Sequence, residues 1–245
     1  MRLDKFLCDM GAGSRSLVKQ KIRKGLVTVD GKPVRNPEQK VEKEQRVCLE
    51  GECFSYIEYE YYMLNKPAGV VSACTDDTCQ TVLDLIPERK RKALFPVGRL
   101  DKDTEGLLLI TNDGKLAHFL LSPKWHVDKT YEVRVQGILT EEHVRIFREG
   151  VDIGEECLTL PALLEIRSSG EVSEAQVTIR EGKFHQIKRM FQAIGCEVVF
   201  LKRVAMGSLR LDERLRAGEY RPLTEEEISG LRSCKTGGSV GSVTK

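Results

Sequence analysis

The chain has 245 residues, 31% of them charged and 40% hydrophobic, with a net charge of +2 and a mean hydropathy of −0.31. No apolar run approaches the roughly 20 residues that a membrane-crossing helix needs. The acids of MRLDKFLCDM stand where an export signal needs an apolar core, so a cytoplasmic protein without a membrane partner is expected. The eight cysteines are dispersed with no CxxC pair, and the four histidines stand apart from them. Zinc sites show tighter spacing. Reduced thiols, no metal and no cofactor are therefore expected.

Charge is distributed unevenly. Residues 1–35 hold nine Lys/Arg against three Asp/Glu, a local +6, which leaves −4 on the remainder of a chain whose total is +2. A basic N-terminal piece on a slightly acidic body is the pattern of a polyanion-binding module joined to something else. Leu3, Phe6, Leu7 and Met10 recur at helical spacing, and Gly11 is a natural stop. Ser14 or Ser16 can cap a second helix ending at Lys24-Gly25. On it Arg15, Lys19 and Arg23 recur every four residues and so share one face. LVTVDGKPV follows, with Asp30-Gly31 as the tight turn of a hairpin. Most charge runs are merely solvated faces, but the local +6 on a compact helix–helix–hairpin unit favours RNA.

This stretch resembles the S4 RNA-binding domain over residues 1–48. The resemblance implies RNA binding, with Lys5, Arg15, Lys19 and Arg23 as contacts, and by itself implies no reaction.

Residues 49–60 read as a linker to a second domain over 61–232. YYMLNKPAGVVSA gives an apolar strand broken at Pro67 and Gly69. Gly106–Thr111 is a strand too apolar to be exposed. Asn112-Asp113-Gly114 turns the chain and caps a helix carrying Leu116, Phe119 and Leu120. KTYEVRVQG alternates as a strand. EGKFHQIKRMFQAIG places Ile187, Met190, Phe191 and Ile194 on one helix face, with Lys188 and Arg189 off it. Thr224 and Glu227 form a capping box for a last helix. The Ser/Gly-rich residues 233–245 read as a disordered tail. GGSVG at 237–241 lacks the strand–turn–helix setting of a hydrolase nucleophile. GAGSRS at 11–16 follows a helix rather than a strand, so no dinucleotide loop is indicated.

The segment GRLDKDTEGLLLITNDG holds four acids, Asp101, Asp103, Glu105 and Asp113, with no histidine or cysteine beside them. Together with NKPAGVVS, KTYEV and EGKFHQIKRM, in this order behind an S4 domain, it resembles the bacterial ribosomal pseudouridine synthases of the RsuA family. The resemblance runs from residue 1 to about 228. The form of the third motif and the GEYRPLTEEEI ending are most like the branch acting on small-subunit (16S) rRNA.

The resemblance implies an α+β fold: the small S4 domain, then a catalytic domain with a mixed, mostly antiparallel sheet and a central cleft. It makes Asp101 the catalytic carboxylate of an isomerisation that breaks the N1–C1′ bond of a uridine, rotates the base and rejoins it through C5. Positive character at the sugar is what a close carboxylate can stabilise or trap. The leaving uracil is an anion that donors in a dry pocket can hold. The base must first be flipped out of the RNA.

By the same resemblance Tyr131 stacks on the uracil, Lys188 pairs with Asp101, Leu201 lines the pocket floor, and Arg99 and Arg189 contact the substrate. Ribosomal RNA is the partner, within a small-subunit assembly intermediate, and the protein is expected to be a monomer. A large-subunit (23S) rRNA synthase is the main alternative. A non-catalytic assembly factor predicts a damaged motif, and a methyltransferase predicts a glycine-rich loop after a strand; neither feature is present.

Overall fold

The computed structural model describes residues 1–87 and 93–233. The chain divides into two compact units, residues 1–60 with 87–94, and residues 61–86 with 95–245. GGSVG and the expected tail, apart from Ser233, lie outside the described residues.

In the first unit α1 (Leu3–Asp9) and α2 (Arg15–Arg23) pack on a four-stranded antiparallel sheet. Ser14 supplies the α2 cap, accepting a hydrogen bond from the Leu17 amide. Strands β1 (Val27–Val29) and β2 (Lys32–Val34) flank Asp30-Gly31, both at positive φ, as a tight hairpin requires. Leu3, Phe6, Leu7, Val18, Ile22 and Val27 are fully buried between helices and sheet.

The expected linker starts inside this sheet. β3 (Val47–Leu49) and β4 (Glu52–Phe54) form a second hairpin around Glu50-Gly51, again both at positive φ. The sheet order is β2-β1-β3-β4. The turn sets Cys48 opposite Cys53, and the two form a disulfide, contrary to the expectation of reduced thiols. A search for CxxC spacing overlooks this pair because the partners meet across strands.

The second unit is built on one mixed sheet. Its strands are β5 (Tyr61–Lys66), β6 (Phe95–Pro96), β7 (Glu105–Thr111), β8 (Lys129–Gln136), β9 (Leu163–Ser168), β10 (Val172–Ile179), β11 (Glu197–Met206), β12 (Leu209–Arg210) and β13 (Tyr220–Pro222). The main path runs β13-β5-β7-β11-β8-β10-β9, with β6 beside β7 and β12 beside β11. β7 and β11 run parallel, while the other pairs are antiparallel. This is the mixed, mostly antiparallel sheet that the resemblance implied.

α3 (Gly114–Leu121) and α6 (Glu225–Ser233) contribute Leu116, Phe119, Leu120, Ile228 and Leu231 to one core with Met63, Leu107 and Leu109. Asp113 caps α3 through the Lys115 and Leu116 amides, and Thr224 and Glu227 cap α6 reciprocally. α4 (Glu141–Glu149) and α5 (Gln186–Ala193) meet through Phe147 and Phe191, whose ring centroids are 5.1 Å apart.

Gly106 is where the β7–β11 parallel pair forms. Its φ is +99°, and a Cβ there would collide with the Arg203 carbonyl. Only glycine lets the two backbones approach this closely.

Candidate active site

The loop 98–104 leads into β7 and is held from below by the segment that follows β5. The fully buried Lys66 donates to the carbonyls of Pro67, Lys102 and Thr104, at 3.0, 3.2 and 2.8 Å. The Gly69 amide bonds the Lys102 carbonyl at 2.7 Å. Ser72 Oγ donates to the Leu100 carbonyl and accepts from the Leu100 amide. NKPAGVVS is thus the brace for GRLDKDT, which accounts for the two stretches occurring together.

The brace points Asp101 at the first turn of α5. Lys188 Nζ lies 3.3 Å from Asp101 Oδ2, and His185 Nε2 lies 3.6 Å from Asp101 Oδ1. Lys188 also donates to both oxygens of Asp103, at 2.7 and 2.8 Å. Burial works against the Lys188 charge, but the Asp103 hydrogen bond and the charges of both aspartates outweigh it and raise its pKa. The same hydrogen bond holds Asp103 below the usual carboxylate range.

Tyr131 on β8 and Leu201 on β11, each 7% exposed, complete a cavity of about 90 Å³ with Asp101 and Lys188. This cavity adjoins a larger cleft of about 990 Å³ that also reaches Asp101 and Tyr131. The structure therefore brings together Asp101, Tyr131, Lys188 and Leu201, which stand up to 100 residues apart in the chain.

Arg99 lines both spaces and is exposed. Arg189 is placed elsewhere. Its guanidinium pairs with Glu155 at 2.7 Å and bonds the Phe184 and Ile153 carbonyls, so it braces two loops rather than facing the cavity.

In the first unit Lys5, Arg15 and Arg23 are exposed. Arg15 and Lys19 lean toward the buried Asp4, at 3.5 and 3.8 Å, whose closer partner is Arg2. Lys19 and Arg23 line a concave surface with Arg35.

Five further residues escape a reading of the sequence. Asp103 has no distinguishing mark among four acids. His185 owes its position to a left-handed φ of +49°, which no pattern announces. Phe184 is 73% exposed at the cleft and stacks on His185, with centroids 3.8 Å apart. Lys129 and Arg203 sit at buried positions of alternating strands, where a charge in phase with Tyr131 and Leu201 is a legible signal.

The sequence pattern of RNA pseudouridylate synthases matches residues 60–193, and that of the S4 domain matches residues 1–47. The chain belongs to the RNA pseudouridylate synthase family. It is 50% identical over 231 residues to an uncharacterised RNA pseudouridine synthase of Bacillus subtilis (strain 168), covering 93% of this chain and 97% of that one. It is 42% identical over 233 residues to ribosomal small subunit pseudouridine synthase A of Escherichia coli (strain K12), covering 94% of this chain and all of that one. A crystal structure of a pseudouridylate synthase, 39% identical, superposes with a TM-score of 0.67 over 94% of this chain and 99% of that chain. This pseudouridine synthase carries the S4 unit and the catalytic unit in one chain, and it is an isomerase by family.

Proposed function

We propose that the protein converts a uridine of small-subunit (16S) rRNA to pseudouridine, with Asp101 as its catalytic carboxylate. The observation that carries this reading is the cavity in which Asp101, held by Lys188, faces Tyr131. The similarity to small-subunit synthases over 94% of the chain supports the choice of RNA.

The flipped uridine enters with its base against Tyr131 and Leu201, which replace the stacking lost in the RNA. Asp101 meets the positive character that develops at C1′ as the N1–C1′ bond breaks, whether by stabilising it or by bonding to it. The electron pair of that bond stays on uracil. After rotation C5 bonds C1′, C5 loses its proton and N1 gains one, so the reaction balances without a second substrate. Lys188, 3.3 Å from Asp101 Oδ2, holds the carboxylate aimed at the sugar. Arg99 and the exposed Phe184 face the displaced strand, with Phe184 offering a ring on which a neighbouring base can stack. Arg189 serves indirectly by fixing the turn that carries His185. The substrate is an assembly intermediate in which the target uridine is still free to flip.

Pseudouridine mapping of both rRNAs in a strain lacking this gene, complemented with wild type or Asp101→Asn, tests the proposal. One 16S site should vanish, return with wild type and stay absent with Asp101→Asn. Loss of a 23S site instead would reassign the substrate, and rescue by Asp101→Asn would remove the carboxylate from its role.

A further inference from the structure

Two cations are buried in the wall of the cleft, and the isomerisation as derived above leaves both unused. Lys129 is 7% exposed and Arg203 is 2% exposed, and both line the cleft that Asp101 and Tyr131 also reach. Their placement follows from strand geometry. Arg203 is opposite Tyr131 in the β11–β8 register, so the two side chains share a face. Lys129 is two residues before Tyr131 on β8 and points the same way.

Neither cation is neutralised. Among the described residues, neither forms an ion pair. Lys129 donates to the Val127 carbonyl at 3.1 Å, and Arg203 Nε to the Leu107 carbonyl at 2.7 Å. Arg203 Nη2 is buried with no acceptor. The carboxylates whose charge reaches Lys129, Asp128 and Glu181, are engaged elsewhere. Asp128 accepts from Arg180 at 2.8 Å, and Glu181 from the Leu160 amide and the Gln186 side chain. Burial first, and then the neighbouring Arg203 charge, push the Lys129 pKa down to about 8. Buried charges are normally paired, and an unpaired one is a standing cost to the fold. Two together, with a spare donor, at the edge of a reaction site are the arrangement that receives an anion.

We propose that Lys129 and Arg203 form an oxyanion subsite for the flipped nucleotide, beside Tyr131 in the cleft. This rests on the functional reading above. Two oxyanions of that nucleotide have the right chemistry: a carbonyl oxygen of the uracil, which becomes anionic when the N1–C1′ bond breaks, and a flanking phosphate. Both need fixed positive donors away from water. They differ in when the charge is present, since the phosphate is charged throughout and the uracil only during reaction.

The test is single-turnover kinetics and binding with rRNA from a strain lacking the gene, using wild type, Lys129→Met, Lys129→Arg and Arg203→Lys. If the occupant is the uracil oxygen, Lys129→Met should slow the saturated rate at least tenfold and leave affinity within about twofold. If it is a phosphate, affinity should fall tenfold while the saturated rate holds. Either result supports the subsite.

Wild type should also lose activity as pH rises past 8, and Lys129→Arg, whose charge persists, should keep it. A merely structural lysine would not produce that rescue. Should Arg203→Lys fail to fold, the two Lys129 variants still decide. An active wild type whose rate, affinity and alkaline profile are all matched by Lys129→Met overturns the subsite alone. A wild type that forms no pseudouridine in either rRNA overturns the functional reading and this inference with it.

Discussion

The ammonium of Lys188 donates to both carboxylate oxygens of Asp103, at 2.7 and 2.8 Å, and is closer to it than to Asp101, at 3.3 Å. The two aspartates nonetheless stand in different surroundings. The Asp103 side chain is 72% exposed, whereas that of Asp101 is 29% exposed and lines the cavity with Tyr131. An exposed ion pair contributes about 0–1 kcal/mol. Asp103→Ala should therefore change stability by less than about 1 kcal/mol. It should keep most of the activity, because Lys188 can then turn wholly to Asp101. Urea denaturation and single-turnover assays check this. An Asp103→Ala enzyme as inactive as Asp101→Asn would mean that the roles of the two acids are misassigned.

Among the described residues, Lys188→Met removes the cation 3.3 Å from Asp101 and leaves His185 Nε2 at 3.6 Å. Fixed charges in a shielded site act mainly on the transition state. The rate should fall on the order of 100-fold, as for loss of one such donor, with RNA affinity little changed. Lys188→Arg should recover part of the loss. Equal losses in rate and affinity would place Lys188 among the RNA contacts instead.

The S4 unit is legible in the sequence because its signals are local: a serine cap, a positive-φ hairpin turn and helical spacing of apolar residues. The second hairpin turns on Glu50-Gly51 in place of the Asp-Gly or Asn-Gly pair that signals a tight turn, and so reads as linker. In the catalytic unit the central strands and the Asp113 and Thr224 caps are visible. β9, β10, β11 and the parallel β7–β11 pairing are not. Non-local pairing has no sequence period, and Glu197–Met206 looks ordinary until Gly106 is seen to admit it. The site is legible only through its resemblance. Nothing in the spacing of Asp101, Tyr131 and Lys188 says that they meet, and the resemblance gives no hint that Arg189 turns away toward Glu155.

Activity and stability should move in opposite directions between pH 8 and 10. Burial depresses both Lys66 and Lys129 to about 8, against 10.5 for an ordinary lysine. Below pH 8 the folded and unfolded chains both carry these protons, and the fold bears the cost of two buried charges. Between 8 and 10.5 the unfolded chain binds more protons, so the free energy of unfolding rises with pH. Tyr61, pushed up to about 12, opposes this only above pH 10, where an unfolded tyrosine ionises first. Denaturation at pH 7.5 and 9.5 should show the rise, and Lys129→Met should remove part of it. The catalytic rate should fall over the same interval. Parallel falls in rate and stability would show that alkaline inactivation is simply unfolding.

Lys19, Arg23 and Arg35 line one concave surface of about 530 Å³, with Arg15 one turn before Lys19 on the same helix. Such a surface fits backbone phosphates, which position a protein on RNA without reading its bases. Removing cations is structurally tolerable here. Asp4, buried beneath Arg15 and Lys19, keeps its two hydrogen bonds from Arg2, at 3.0 and 2.9 Å. Burial tends to raise the Asp4 carboxyl, but the Arg2 bonds, the charges of Arg2 and Arg15 and the Lys5 amide together hold it below the usual carboxylate range. All of these except the Arg15 charge survive the change. Every cation that neutralises a phosphate adds about 0.7 to 0.9 to the salt slope of binding. Changing Arg15, Lys19 and Arg23 together to Ala should therefore lower that slope by roughly 2 to 3, and adding Arg35→Ala should lower it by about one more. Turnover by the triple variant should recover at high RNA concentration, because the cavity around Asp101 is untouched. A triple variant with wild-type affinity and salt slope would make this stripe a solvated face and leave RNA recognition to the catalytic unit.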